Sequence, residues 1–149
     1  MKKRIDNSGN YYLHALRGLY FKIRNLDRFF IKERNLNLSP TELNVIRTIK
    51  ESSKKTMSFV AQKLAVTIGT LTTSINNLVK KGFVIRRSDE DDKRIVLLEL
   101  TEASNDIINA RDEYGLKFLH NAFIETNIEI SEEDVSKIDR LLRYVEEKY

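Results

Sequence analysis

The stretch GFVIRRSDEDDKRIVLLELT, residues 82–101, decides the fold. Phe83-Val84-Ile85-Arg86-Arg87 reads as a strand, and Ile95-Val96-Leu97-Leu98-Glu99-Leu100 reads as a second one. Between them, Ser88 to Arg94 carries four acids and two bases, which fits an exposed hairpin tip. Gly82 stands where a left-handed cap ends a preceding helix, and Thr101 stands where an N-cap opens the next. The hairpin is therefore an insert of period two in a chain whose other periodicity is helical.

Immediately upstream, Thr67 to Lys81 reads as a helix with Ile68, Leu71, Ile75 and Leu78 as its buried stripe. Its opposite face carries Thr70, Thr73, Asn77 and Lys80, flanked by Gly69, Thr72 and Asn76. An ordinary surface helix carries Glu and Lys pairs instead. Short hydroxyl and amide side chains suit a helix that enters the major groove of DNA, where they reach base edges and phosphates. A solvated Thr- and Asn-rich face is the plainer alternative. Gly69 allows close approach of a backbone, and the free N–H groups of the first turn favour a phosphate. A shorter helix runs from Thr56 or Ser58 to Leu64, joined through a tight turn at Ala65-Val66. Ser39-Pro40-Thr41-Glu42 opens another with a capping box and a proline at the first helical position, and Leu43, Val45, Ile46 and Ile49 form its buried face.

The two ends of the chain are helical. Residues 10–34 place Tyr12, Leu16, Leu19, Ile23, Leu26 and Phe30 on one stripe, widened by Leu13, Tyr20 and Phe29. Residues 101–125 form a long helix interrupted by Gly115, which predicts a kink or a close helix contact. Residues 127–130 form a linker, and Ser131 opens a last helix with Val135, Ile138, Leu142, Val145 and Tyr149 as its stripe. These helices carry more apolar surface than one short chain buries. A homodimer interface built from Tyr12, Leu13, Leu119, Phe123, Val135, Ile138, Leu142 and Val145 is expected. The expected architecture is a single domain over 1–149, mainly α (α+β): a winged helix-turn-helix over 39–100 with a two- or three-stranded wing sheet, and dimerisation helices over 10–34 and 101–148.

Composition narrows the function. The net charge is +4, but residues 1–52 hold eleven basic and five acidic side chains, residues 53–94 nine and four, and residues 95–149 six and thirteen. A basic front and an acidic rear point to one face meant for a polyanion. Arg86 and Arg87 stand at the base of the hairpin, and Lys93 and Arg94 at its return. Arg94 is placed to enter a minor groove, and Asp92 to hold its guanidinium by charge-assisted hydrogen bonds. With no cysteine and two histidines, disulfides, zinc fingers, iron–sulfur clusters and thiol chemistry are excluded. No nucleophile-and-base pair, phosphate loop or metal spacing occurs, so no enzyme, metal or cofactor is expected. The chain shows neither a signal peptide nor a membrane span, so a cytoplasmic, nucleoid-associated protein is expected.

The whole chain, over about residues 10–148, resembles the MarR family of winged-helix regulators. Gly82, Arg86, Asp92, Arg94, Leu100 and Thr101 match that family's wing, and Ala61 and Leu64 its first short helix. Glu102-Ala103-Ser104 departs from the Lys-Gly or similar pair usual after the Leu-Thr. Within the family, residues 66–82 are similar to the fatty-acid-synthesis repressors called FabT, especially at Gly69-Thr70 and Asn76-Asn77. The resemblance implies an obligate dimer, a recognition helix starting near Thr67 and a pseudo-palindromic operator. For the FabT branch it also implies control by long-chain acyl groups on acyl carrier protein.

The expected DNA contacts are Thr67, Gly69, Thr70, Thr72, Thr73, Asn76, Asn77 and Lys80 on the helix. Arg86, Asp92, Lys93 and Arg94 join them from the wing, with Ser39, Ser58 and Gln62 as phosphate contacts. Leu16, Leu19, Tyr20, Ile23, Phe30 and Ile46 are the expected lining of a pocket for a long acyl chain or another apolar effector; the alternative for the aromatics is plain dimer core. His14 and His120 read as polar residues at an interface edge, with pocket lining as the alternative. The competing function is a general MarR-type repressor that answers to phenolic or cationic compounds and controls efflux or stress genes.

Overall fold

The computed structural model describes residues 7–127 and 129–148; the side chains of residues 7–12, 15, 16, 19, 23, 145, 146 and 148 are outside the description. The element order is α1 (Asn7–Glu33), α2 (Pro40–Glu51), α3 (Met57–Lys63), α4 (Ile68–Lys80), β1 (Val84–Ser88), β2 (Val96–Leu100), α5 (Glu102–Thr126) and α6 (Glu132–Lys148). The chain packs as two units, Met1–Tyr114 and Gly115–Tyr149, with the division falling inside α5.

In the first unit the helix starts are local chemistry. The Ser39 hydroxyl accepts from the Glu42 amide at 3.1 Å, and the Glu42 carboxylate accepts from the Ser39 amide at 2.7 Å, which completes the capping box at the head of α2. Thr56 and Thr67 cap α3 and α4 in the same way. Three helix ends close with the left-handed residue of a Schellman motif: Asn35 after α1, Ala65 after α3 and Gly82 after α4. In each, the next residue's amide reaches back five positions: Leu36 to Ile31, Val66 to Ala61, Phe83 to Leu78. This bond explains why β1 starts at Val84 and not at Phe83. The Phe83 amide is already committed to α4. Ile95 likewise belongs to the hairpin tip, where its amide donates to the Asp92 carbonyl and its carbonyl accepts from Asp89.

The sheet has two antiparallel strands with Val84 opposite Leu100 and Ser88 opposite Val96. One further bridge, Thr56 to Leu97, and the bond from the Leu98 amide to the Lys55 carbonyl at 2.7 Å tie the wing to the residues that lead into α3. The core is a single cluster to which every element of this unit contributes. Phe30, Leu43, Ile46, Ile49, Val60, Leu71, Ile75, Leu78, Val84, Leu98 and Ile108 are its buried members. Ile68, expected in the same stripe as Leu71, is instead 55% exposed. It is the first residue of α4, and there the stripe runs past the edge of the core.

In the second unit, Ser131 caps α6 reciprocally with Asp134: its hydroxyl accepts from the Asp134 amide at 3.2 Å, and the Asp134 carboxylate accepts from the Ser131 amide at 3.1 Å. The α6 stripe stays in solvent, with Val135 57%, Ile138 54% and Leu142 57% exposed. Leu119 is exposed as well, and Phe123 half-buried. Of the other residues expected at a dimer interface, Leu13 in α1 is exposed, while the side chains of Tyr12 and Val145 lie outside the description. Gly115 does not interrupt α5, which runs from Glu102 to Thr126 as one helix.

Candidate nucleic-acid interface

The outward surface of α4 is built from residues that its fold does not need. Gly69, Thr73, Asn76, Asn77 and Lys80 are exposed. A Cβ placed on Gly69 would meet only the Thr67 hydroxyl oxygen, at an ordinary 3.8 Å. Nothing inside the protomer therefore demands a glycine there, although it weakens the helix.

The threonines reveal a detail that spacing alone does not carry. Thr72 donates its hydroxyl proton to the Ile68 carbonyl at 2.7 Å and Thr73 to the Gly69 carbonyl at 3.3 Å. With its proton turned inward, each hydroxyl presents lone pairs outward and suits N–H donors on a base edge. The Thr67 hydroxyl is occupied as N-cap, accepting from the Thr70 amide at 3.1 Å and pairing with the Thr70 hydroxyl at 2.9 Å.

The wing holds one arginine in a fixed pose. Asp92 accepts from the Arg94 amide at 3.0 Å, from Nε at 3.0 Å and from Nη2 at 2.9 Å, while the Arg94 side chain remains 91% exposed. These bonds hold the Asp92 carboxyl below the usual carboxylate range, and the same partnership raises Arg94. Asp89 accepts from the amides of Asp91 and Asp92, at 3.0 and 3.1 Å, so two of the four acids at the tip shape the turn. Arg86 and Lys93 are exposed and have no ion-pair partner among the described residues. Arg87 pairs with Glu99 across the strands at 2.6 Å.

A recess of about 500 Å³ separates α4 from the wing. It brings together four of the expected contacts, Ser58, Thr72, Arg86 and Arg94, around a wall of Met57, Ile68, Ile95 and Val96. Gln62 is exposed on α3 but is not part of that lining. Thr70 lies elsewhere: with Ser74 it lines a second cavity, of about 570 Å³, against Tyr20, Arg24, Asn44 and Arg47 of α1 and α2. Ser39 is exposed, and its hydroxyl accepts from the Glu42 amide as the cap of α2.

Of the expected effector lining, Tyr20 borders this second cavity, whereas Phe30 and Ile46 are fully buried in the core and line neither of these two cavities. The side chains of Leu16, Leu19 and Ile23 lie outside the description.

Two charged clusters escaped the sequence reading. The buried Asp27 of α1 accepts from Arg111 Nε of α5 at 2.7 Å and lies 3.6 Å from Arg47 Nη2 of α2. Arg47 Nε and Nη2 are buried without a hydrogen bond. Lys81, just past α4, donates to both carboxylate oxygens of the buried Glu42, at 2.7 and 2.9 Å. Burial pushes Glu42 up, but hydrogen bonds from Lys81 and Ser39 outweigh it and hold the carboxyl below its ordinary value. A signal for Asp27 did exist: a carboxylate four residues from Ile23 and three from Phe30, on an otherwise apolar face, needs a cation. Its partners, 20 and 84 positions away, had none.

Among the described residues no cluster of His, Cys, Asp and Glu could hold a metal ion, and no helix is long and apolar enough to cross a membrane.

Residues 38–96 match the model of the MarR family. The HTH-type transcriptional regulator SarZ of Staphylococcus aureus is 31% identical over 114 residues, 76% of this chain and 72% of that protein. The structure of Streptococcus pneumoniae FabT in complex with DNA superposes with a TM-score of 0.64 at 31% identity, covering 94% of this chain and 96% of that one. A MarR family protein from Bacillus stearothermophilus shares the fold, with a TM-score of 0.77 at 19% identity over 98% of both chains. A buried helical core, an exposed polar helix and a two-stranded wing thus coincide with sequence likeness across most of the chain, and the protein belongs to the MarR family of winged-helix, DNA-binding, non-enzymatic transcription regulators.

Proposed function

We propose that this protein is a homodimeric repressor that reads a pseudo-palindromic operator, with α4 of each protomer in the major groove and the wing in the adjacent minor groove. The observation that carries this reading is the Asp92-clamped, solvent-exposed Arg94, which shares a recess with Ile68 and Thr72 of α4, the helix whose exposed face carries Gly69, Thr73, Asn76, Asn77 and Lys80. Two such helices related by a two-fold axis engage half-sites about one DNA turn apart, roughly 34 Å. The exposed apolar stripe of α6 and Leu13 of α1 supply the dimer surface in this reading. Fluorescence-anisotropy titration on the DNA upstream of its own gene, against scrambled duplex and at two salt concentrations, tests it. Selective, salt-dependent binding is expected; a failure to select any duplex would overturn it.

The genes under control, in the same reading, are those of fatty acid biosynthesis, with long-chain acyl-acyl carrier protein as the effector. The likeness to FabT at 31% identity over 94% of the chain, and the similarity of residues 66–82, support this. The likeness to SarZ, an HTH-type transcriptional regulator, at the same identity means that the FabT likeness does not by itself choose the genes under control, and the second reading is a general MarR-type repressor that answers to small phenolic or cationic compounds. Repeating the titration with acyl-acyl carrier protein and with a phenolic carboxylate separates them. Tighter operator binding with the acyl carrier supports the first; a response to the phenolic compound alone supports the second.

A further inference from the structure

We propose that Ile68 is a specificity-determining residue that reads the C5-methyl group of one thymine in each half-site; this rests on the DNA-reading role proposed above. Ile68 opens α4 and is 55% exposed, whereas Leu71, Ile75 and Leu78 fill the core. A β-branched residue is a weak helix former, so neither propensity nor core packing calls for isoleucine at this position. It lines the recess with the apolar Met57, Ile95 and Val96, and Arg86 and Arg94 line the same recess.

Duplex geometry states what that wall faces. A helix in the major groove and a wing in the next minor groove straddle one strand of the backbone, so the recess between them lies over that strand. Arg86 meets its phosphates and Arg94 the minor groove beyond it, and the first residues of the recognition helix meet the base edges on the major-groove side. In the major groove the aliphatic group that a base edge offers is the thymine methyl. An exposed isoleucine set among cations and hydroxyls therefore selects thymine over cytosine at that position.

The test begins with selection of a binding motif from a random duplex library by the full-length dimer. Each thymine of the motif is then replaced by deoxyuridine, which removes the methyl and nothing else. At one position per half-site the replacement weakens wild-type binding about four-fold, as loss of one buried methyl group does. Ile68→Ala binds the two duplexes equally, and Ile68→Val keeps part of the preference. A folding defect would move the affinities of both duplexes but not their ratio. A deoxyuridine penalty that persists in Ile68→Ala, or a motif with no such thymine, overturns the assignment while leaving the DNA-reading role intact. A library that yields no motif overturns both.

Discussion

Arg94 illustrates how one side chain becomes a tool by losing freedom. An arginine on a flexible loop gives up rotamer entropy when it binds, and Asp92 removes much of that freedom in advance. Two measurements separate orientation from charge. Arg94→Ala is expected to weaken DNA binding and to lower the slope of log affinity against log salt by about one. Asp92→Asn removes a negative charge near the phosphates, so charge alone predicts tighter binding; the clamp predicts weaker binding with the slope retained. Gly69 offers a trade-off at the same scale. Because its Cβ space is free on the protein side, Gly69→Ala should raise stability by about 0.5–1 kcal/mol in chemical denaturation while lowering DNA affinity. A variant that binds as well as the wild type would remove the close approach assigned to this glycine.

The placement of α4 depends on both of its ends. Thr67 and the Schellman turn at Gly82 determine where the helix starts and stops, and these features were legible because caps are local in sequence. Its anchoring to α2 was not legible, since Lys81 and Glu42 are 39 residues apart. Lys81→Met keeps the stem and removes the charge, leaving a buried carboxylate one partner short. A loss of about 1–3 kcal/mol at pH 7 is expected in urea unfolding. The pH dependence follows from the direction of the shift. Folding lowers the Glu42 pKa, so its contribution is present above the ordinary glutamate value near 4.3 and is lost as pH falls through the depressed one. The gap between wild type and Lys81→Met should therefore close on acidification. A gap that is constant from pH 7 to pH 3 would assign the loss to the lysine stem. The wing follows the same division between local and distant causes: its strands were readable by period, whereas the Thr56–Leu97 bridge that steadies it joins segments about 40 residues apart.

At the scale of the whole molecule, the first unit is organised around a charge as well as around an apolar core. Asp27 meets two arginines from two other helices, and neither has a second anion that compensates it fully. Asp27→Asn leaves both cations facing each other in a partly dry site, and thermal unfolding should show a loss of about 3–5 kcal/mol. A loss below about 1 kcal/mol would mean that solvent screens the cluster. Since α1 and α5 also carry exposed apolar surface, this cluster links the core of the first unit to the helices expected to pair between protomers.

By itself the sequence determined the element order, the caps, the turn at Gly82, the exposed tip of the wing and the pairing of Asp92 with Arg94. Each of these depends on residues within a few positions of one another, where periodicity and side chain-to-backbone bonding act directly. Tertiary structure alone decided that Ile68 faces the recess and not the core, and that Thr70 turns toward α1. It alone placed Phe30 and Ile46 in the core instead of on a cavity wall, and brought Asp27, Arg47 and Arg111 together. The physical reason is that a helical stripe specifies which residues share a face, while the neighbours that cover that face come from distant parts of the chain.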